Sequence, residues 1–428
     1  MTGIALVLVV MLALIAFRVP VFLAIGLATV AFAAAFWPIM QPMVVAQSVQ
    51  RGLDNTAFTA IAYFFLAGAI MNAGGMSARL LRLARALVAH IRGGLSHANI
   101  AASMVFAGIS GSAVADAAAV GSVMIPAMKR DGYSGAYAAA VTGASATIGL
   151  MIPPSIPMVV FALFTPADVV DLFVAGVLPG LLMGVVLLVA SVVVAYRRGY
   201  PAEVWAGWRE LGQAFRGSVL ALLMPVLVIA ALVGGAATVS EIGALAAVYA
   251  AFVSLFIYRE ARLVELWRAT VEAAVDAARV LIIISLSGAL VWIAARIGVA
   301  PALAEALSSL ALPPALTLLV IAVGLLALGT VLEPVTILVV VAPILAPAAI
   351  LAGIDVTQLG IVFVLACAIG LVTPPVGVLL YLTAAQAGAG VATVARESLV
   401  FLLALIALLI AVALWPALTL WLPGIVNG

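Results

Sequence analysis

A chain of 428 residues that is 67% hydrophobic and 8% charged, with a mean hydropathy of +1.38, is excluded from the soluble globular class, because no interior of that size hides so much apolar surface. The formal net charge of +2 gives no basis for a nucleic-acid partner, the lone Cys367 excludes an internal disulfide, and His90 and His97 are too few for a zinc site. Apolar runs long enough to cross a bilayer are expected at 3–17, 19–37, 56–75, 134–165, 168–196, 217–236, 238–258, 272–296, 357–386 and 399–421. The first has no basic segment before it and no small-residue cleavage site after it, so it reads as a retained span rather than a signal peptide. The segment 76–91 carries Arg79, Arg82 and Arg85 at helical spacing and reads as a surface-lying amphipathic arm. A nearly uncharged counterpart lies at 299–311. Two stretches, 96–128 and 314–350, are too long for one span and are interrupted midway by GISGSAVAD and LGTVLEP. Each reads as a re-entrant helical hairpin with its tip near mid-membrane, where irregular backbone survives only in protein or against a wet cavity. The polar segment 197–216 reads as a cytoplasmic linker, with Trp205 and Trp208 at the interface.

The chain contains itself twice. IGLMIPPSIPM begins at Ile148 and IGLVTPPVGVL at Ile369, an offset of 221. Asp116 pairs with Glu333 and Pro126 with Pro343 at 217, Ile25-Gly26 with Ile242-Gly243 at 217, Gly68 with Gly288 at 220, and Gly132 with Gly353 at 221. Two such halves in a membrane protein point to a secondary transporter with its site at the repeat interface. Each half holds five spans and one hairpin. Five is odd, so the second half is expected upside down. Arginine placement agrees: Arg79, Arg82, Arg85, Arg92, Lys129 and Arg130 flank the first hairpin, whereas 297–395 contains neither Lys nor Arg. The first hairpin then enters from the cytoplasm and the second from outside. Arg197, Arg198, Arg209, Arg216, Arg259, Arg262, Arg268 and Arg396 fall inside, Arg51 and Arg296 are exceptions, and both termini are external. The expected fold is an all-α polytopic membrane protein of about ten spans plus two hairpins in an inverted repeat. Scaffold spans and arms would occupy 1–92 and 217–312, transport units 93–196 and 313–428, and the linker 197–216.

The polar tip of the first hairpin is Ser110, Gly111, Ser112 and Asp116; that of the second is Gly329, Thr330 and Glu333. Glycine lets the backbone leave the helix, and the freed carbonyls, hydroxyls and carboxylates are hard oxygen ligands. A Gly/Ser helix–helix contact is the bland reading. A mid-membrane carboxylate costs about 2.5–3.5 kcal/mol even on a lenient insertion scale, which favours a functional site. The matched broken spans offer Gly149, Pro153, Pro154 and Ser155 in one half and Gly370, Thr373, Pro374 and Pro375 in the other. Each Pro–Pro pair removes two helical donors, so the helix unwinds. Thr142, Ser145, Thr147, Thr330 and Thr336 are weaker hydroxyl candidates.

GGLSHANIAASMVFAGISGSAVADAAAVGSVMIPAM, GYSGAYAAAVTGASATIGLMIPPSIPM, GTVLEPVTILVVVAPILAP, IGLVTPPVGVLLYL and FFLAGAIMNAGGMSARL together resemble the large membrane subunit of tripartite ATP-independent periplasmic (TRAP) transporters over nearly the whole chain. The resemblance implies a bacterial inner-membrane permease with two partners: a small four-span membrane subunit, expected as a separate chain, and a periplasmic solute-binding protein. It also implies a sodium-driven elevator carrying an organic acid, with sodium near the hairpin tips and broken spans and no other cofactor. A stand-alone sodium–dicarboxylate symporter of similar architecture is the nearest alternative. An enzyme is not expected: GISG at Gly108–Gly111 matches an intramembrane serine protease pattern, but both histidines lie upstream near the membrane surface. Asp116 and Glu333 fit twin ion sites better than a protease dyad.

Overall fold

A computed structural model describes residues 19–35, 42–51 and 58–427, together with Val10, Ala13, Leu14 and Phe17. Most of the expected first span lies outside the described residues. The described residues form helices and no strands. The first half comprises α1 (Val21–Ala35), α2 (Pro42–Arg51), α3 (Phe58–Ala73), α4 (Met76–Val88), α5 (Gly94–Ser110), α6 (Ala113–Arg130), α7 (Gly135–Ala146), α8 (Ile156–Phe164) and α9 (Val169–Arg198). The second comprises α10 (Gly207–Val233), α11 (Val239–Phe252), α12 (Leu263–Arg296), α13 (Val299–Ser309), α14 (Pro314–Gly329), α15 (Pro334–Leu351), α16 (Val356–Gly370), α17 (Val378–Ala387), α18 (Val391–Leu414) and α19 (Ala417–Asn427). From α4 to α9 the order of arm, helix pair, broken helix and long helix recurs as α13 to α18.

Among the described residues, six helices are long and apolar enough to span a membrane, namely α9, α10, α11 with its π-helical extension to Tyr258, α12, α15 and α18. The expected ten spans therefore do not correspond to ten long helices among the described residues. The Pro–Pro pairs divide 134–165 into α7 and α8, and 357–386 into α16 and α17. The span expected at 56–75 is the short α3, which meets the arm α4 at a 69° bend. Gly75, with φ of 76°, supplies the left-handed residue of that bend. The span placed at 272–296 starts earlier, at Leu263, where the Glu265 carboxylate accepts the Arg262 backbone N–H. The span placed at 399–421 runs instead from Val391 to Leu414, stopping before Pro416, which disfavours helix at the preceding residue. Only 199–206 of the linker is non-helical; the rest continues α9 or begins α10.

The halves interlock. α3 packs against α11 and α12 of the other half, where a Cβ on Gly243 would press on Tyr63 at 3.0 Å and Thr59 bonds Ser240. α8 packs on α15 and α16, and reciprocally α17 packs on α6 and α7. Phe161 and Phe363, both fully buried, meet edge to face at 5.8 Å across the first seam. Gln386 donates to the Ala118 carbonyl across the second, directly over Gly121, which has no room for a side chain. The arm α4 buries Met76, Leu80 and Leu83 and turns its arginines to acids elsewhere: Arg79 to Glu260, Arg82 to Glu210 and Arg85 to Glu203. Large apolar side chains such as Val189, Leu227, Val248 and Leu403 remain exposed on the long helices, as a lipid-facing surface requires.

Candidate functional site

The first expected hairpin is a helix pair broken where Gly and Ser were expected to break it. α5 ends at Ser110, Gly111 turns left-handed with φ of 59°, and Ser112 caps α6 by accepting the Ala115 N–H. Asp116 follows in the first turn of α6, fully buried. Its Oδ1 accepts the Ser110 hydroxyl, while its Oδ2 has no partner. That free oxygen lies against Gly149, where any Cβ would collide with it. Gly149 is thus a glycine because a carboxylate occupies the space beside it. Gly149 belongs to a 3₁₀ turn, Thr147–Leu150, that ends the first arm of the broken span. After Pro153 and Pro154, Ser155 caps α8, donating to the Leu150 carbonyl and accepting the Met158 N–H. A Cβ on Gly111 would come within 2.8 Å of the Pro154 carbonyl, so the hairpin tip and the unwound segment touch backbone to backbone.

The second half repeats this with different atoms. α14 ends at Gly329, Thr330 to Leu332 turn, and Glu333 precedes Pro334 at the start of α15. Gly329 lies against Gly370, at the end of α16, so closely that a Cβ on Gly370 would be 2.5 Å from the Gly329 Cα. Beyond Thr373, Pro374 and Pro375, the Gly377 N–H donates to the Thr330 carbonyl at 3.0 Å, tying the unwound segment to the tip. Thr373 and Thr330 spend their hydroxyl protons on their own helices, at the Ile369 and Ala327 carbonyls. Their oxygens keep lone pairs.

The two tips meet. A pocket of about 40 Å³ is walled by Gly111, Ser112 and Ala113 from one tip and by Glu333, Pro334 and Val335 from the other, with Ile156 and Pro157 beside them. The N-termini of α6, α8 and α15 all open on it. Ser112 and Glu333 also line a larger adjoining cavity of about 480 Å³, which Ser110, Asn72 and the α12 residues Glu272, Asp276 and Arg279 share. Glu333 is exposed into this space, unlike Asp116, the residue the sequence pairs with it. Glu333 is the N-cap of α15 as Ser112 is of α6, whereas Asp116 lies one turn inside its helix, so the pairing of Asp116 with Glu333 read from the sequence holds for neither position nor environment.

Thr142 and Ser145 are engaged elsewhere. Asn99 donates to Thr142 at 2.7 Å and Ser103 to Ser145 at 2.9 Å, a buried polar seam between α5 and α7. Thr336, fully buried, has a hydroxyl without a partner. The sequence reading missed Asn99 and Ser103, whose spacing of four on one helix face was the available signal. It also missed Glu272, Asp276 and Arg279, whose signal was charge inside an apolar run. His97 bonds Ser191 and the Arg92 carbonyl at the far end of α5 from Ser110, so it supplies that serine with no base.

Residues 8–418 match the family model described as "Tripartite ATP-independent periplasmic transporter, DctM component". A C4-dicarboxylate TRAP transporter large permease protein, DctM, of Pseudomonas aeruginosa is 39% identical over 370 residues, covering 86% of this chain and 87% of that one. A sialic acid TRAP transporter large permease protein, SiaM, of Vibrio cholerae is 34% identical over 386 residues, covering 90% of each. Among solved structures, the YdaH transporter of Alcanivorax borkumensis superposes with a TM-score of 0.64 over 92% of this chain and 97% of that one, at 14% identity, a likeness of fold.

Proposed function

This chain belongs to the tripartite ATP-independent periplasmic transporters as their DctM component, a family of multi-pass membrane transporters, and we propose that it is the permease of a sodium-coupled organic-acid uptake system. One observation carries the reading: two hairpin tips and three helix N-termini converge on one pocket that opens into a cavity. Helix N-termini present free N–H groups and partial positive charge, worth about 0.3–1 kcal/mol each toward an anion, and more in a desolvated site. The relatives named for C4-dicarboxylates and sialic acid carry carboxylates, which suit such a site.

Sodium is the coupling ion that the donors suit. Ser110, Ser112, Asp116 and the unwound carbonyls around Gly149 and Pro154 are hard oxygens, and the free Asp116 Oδ2 is a buried carboxyl oxygen with no protein partner. On the other side, Glu333, Thr330, Thr373 and the carbonyls near Gly370 offer the same chemistry. The hairpins and broken spans, within 93–196 and 313–428, form the moving unit; α3, α11 and α12 belong to the scaffold. The second half is inverted, so the tips approach from opposite faces, and transport follows an elevator path across the bacterial inner membrane. A small four-span subunit and a periplasmic binding protein complete the system, and the binding protein selects the acid.

The test is uptake in proteoliposomes containing this chain, its cognate small subunit and binding protein, with an imposed sodium gradient. Uptake is expected only with all three components and inward sodium. Saturable high-affinity uptake by the chain alone would favour the stand-alone symporter. Uptake driven equally by a proton gradient without sodium would overturn the coupling.

A further inference from the structure

Arg279 lies near the midpoint of the 34-residue α12, about 25 Å from either end at 1.5 Å rise per residue. An arginine inside a membrane-spanning helix is costly unless it faces water or a partner, and such residues mark pathways. Its side chain is 73% exposed, and the space it faces is the 480 Å³ cavity that Ser110, Ser112 and Glu333 line from the hairpins. It is the one cationic side chain among the described residues lining that cavity; Glu272, Asp276 and Glu333 are the anions. Its Nη1 donates to Asp276 Oδ1 at 2.8 Å, three residues back on the same helix. A guanidinium has five donors in a planar fork, so one bond to a neighbour one turn away leaves most of them for another acceptor. An exposed pair of this kind is weak, about 0.2–0.5 kcal/mol in isolated helices, and is readily exchanged for a bidentate partner.

We propose that Arg279 is the anion receptor of the cavity: it rests on Asp276 while the site is empty and takes the carboxylate of the transported acid when the site fills. The proposal rests on the transport reading and adds to it a fixed receptor on the scaffold side, facing the hairpin tips. Asp276 acts as the competitor that a substrate carboxylate displaces. This makes the two members of the pair differ in sign. Arg279→Gln should raise KM for the acid about tenfold or more, the scale of a lost charge-assisted hydrogen bond. Arg279→Lys should fall between, because an ammonium keeps the charge and loses the fork. Asp276→Asn should lower KM, and should lose that benefit in the Arg279→Gln background. A merely structural ion pair would make both single variants worse.

The experiment measures succinate and sialic acid, first as ligands of the purified permease–small-subunit complex by thermal shift in sodium, then as substrates in the three-component uptake assay. Expected are stabilisation of the wild-type complex by at least one acid, its loss in Arg279→Gln, and its strengthening in Asp276→Asn. If Arg279→Gln does not purify as a monodisperse complex, Arg279→Lys and Asp276→Asn decide. Binding without uptake in the wild type would count against the transport reading while the variants still judge the receptor. Equal affinities in wild type and Arg279 variants, a weaker affinity in Asp276→Asn, or no stabilisation of the wild type by either acid would overturn the receptor.

Discussion

Replacing Gly370 by alanine tests the backbone contact on which the second half of the site depends. The added Cβ would lie 2.5 Å from the Gly329 Cα and 2.7 Å from its carbonyl oxygen, both main-chain atoms that cannot rotate aside. Ordinary contact begins near 3.4 Å, so the end of α14 must retreat by about 1 Å. That retreat pulls on Thr330, whose carbonyl holds the Gly377 N–H at 3.0 Å. Overpacking of this kind costs about 1–3 kcal/mol, and the strained hydrogen bond about 0.5–1.5 more. A total of roughly 2–4 kcal/mol corresponds to a Tm lower by on the order of 5 °C. Gly324, on the same helix, is the control, because a Cβ there meets nothing within 4 Å. Gly324→Ala should gain about 0.5–1 kcal/mol from helix propensity. The assay is thermal unfolding of the purified proteins in one detergent, beside sodium-driven uptake. A Gly370→Ala protein as stable as Gly324→Ala, with wild-type uptake, would refute the contact.

Asp116→Asn keeps the size of the side chain and an oxygen for Ser110 while removing the charge; unfolding should shift little and sodium-dependent uptake should fall more than tenfold, and unchanged sodium dependence would dismiss Asp116 as a ligand. Phe161→Ala empties a fully buried position on the seam between α8 and α16, and should cost about 3–5 kcal/mol, read as Tm; a loss under 1 kcal/mol would mean that the halves do not depend on that seam. In a Cys367→Ala background, a cysteine beside Arg130 should react only with reagent supplied from the cytoplasm and one beside Gly353 only from outside; labelling of both from one side would make the halves parallel.

The breaks in the chain were legible because their causes are local. Pro153-Pro154 and Pro374-Pro375 end helices wherever they stand, and Gly111 takes a left-handed turn that other residues resist. The number of long helices was not legible, since hydropathy does not distinguish one 30-residue helix from two short ones with a kink. The missed residues share a cause. Arg279 sits with Glu272 and Asp276 at the start of a run apolar enough to read as an ordinary span, and only the packing of α12 opposite the hairpins gives its charge a cavity to face. Asn99 reads as an isolated polar residue until α7 brings Thr142 to it.

The reciprocal seams constrain any motion of the site. Each half ends its broken span on the other half's hairpin, α8 on α15 and α17 on α6. Sliding one tip away from the other would pull the Phe161 ring off Phe363 and Gln386 off the Ala118 carbonyl, exposing two fully buried rings and a buried amide oxygen. The cost of parting the aromatic pair alone, a few kcal/mol by the scale of Phe→Ala losses, exceeds what a ligand must supply to shift a balanced equilibrium tenfold. The contacts from α4 to α10 and the linker combine a small buried cluster of Leu83, Ala86 and Ala214 with ion pairs at half-exposed side chains, each pair worth about 0–1 kcal/mol. The seams between the two hairpin units therefore favour a motion that keeps both tips together over one that parts them.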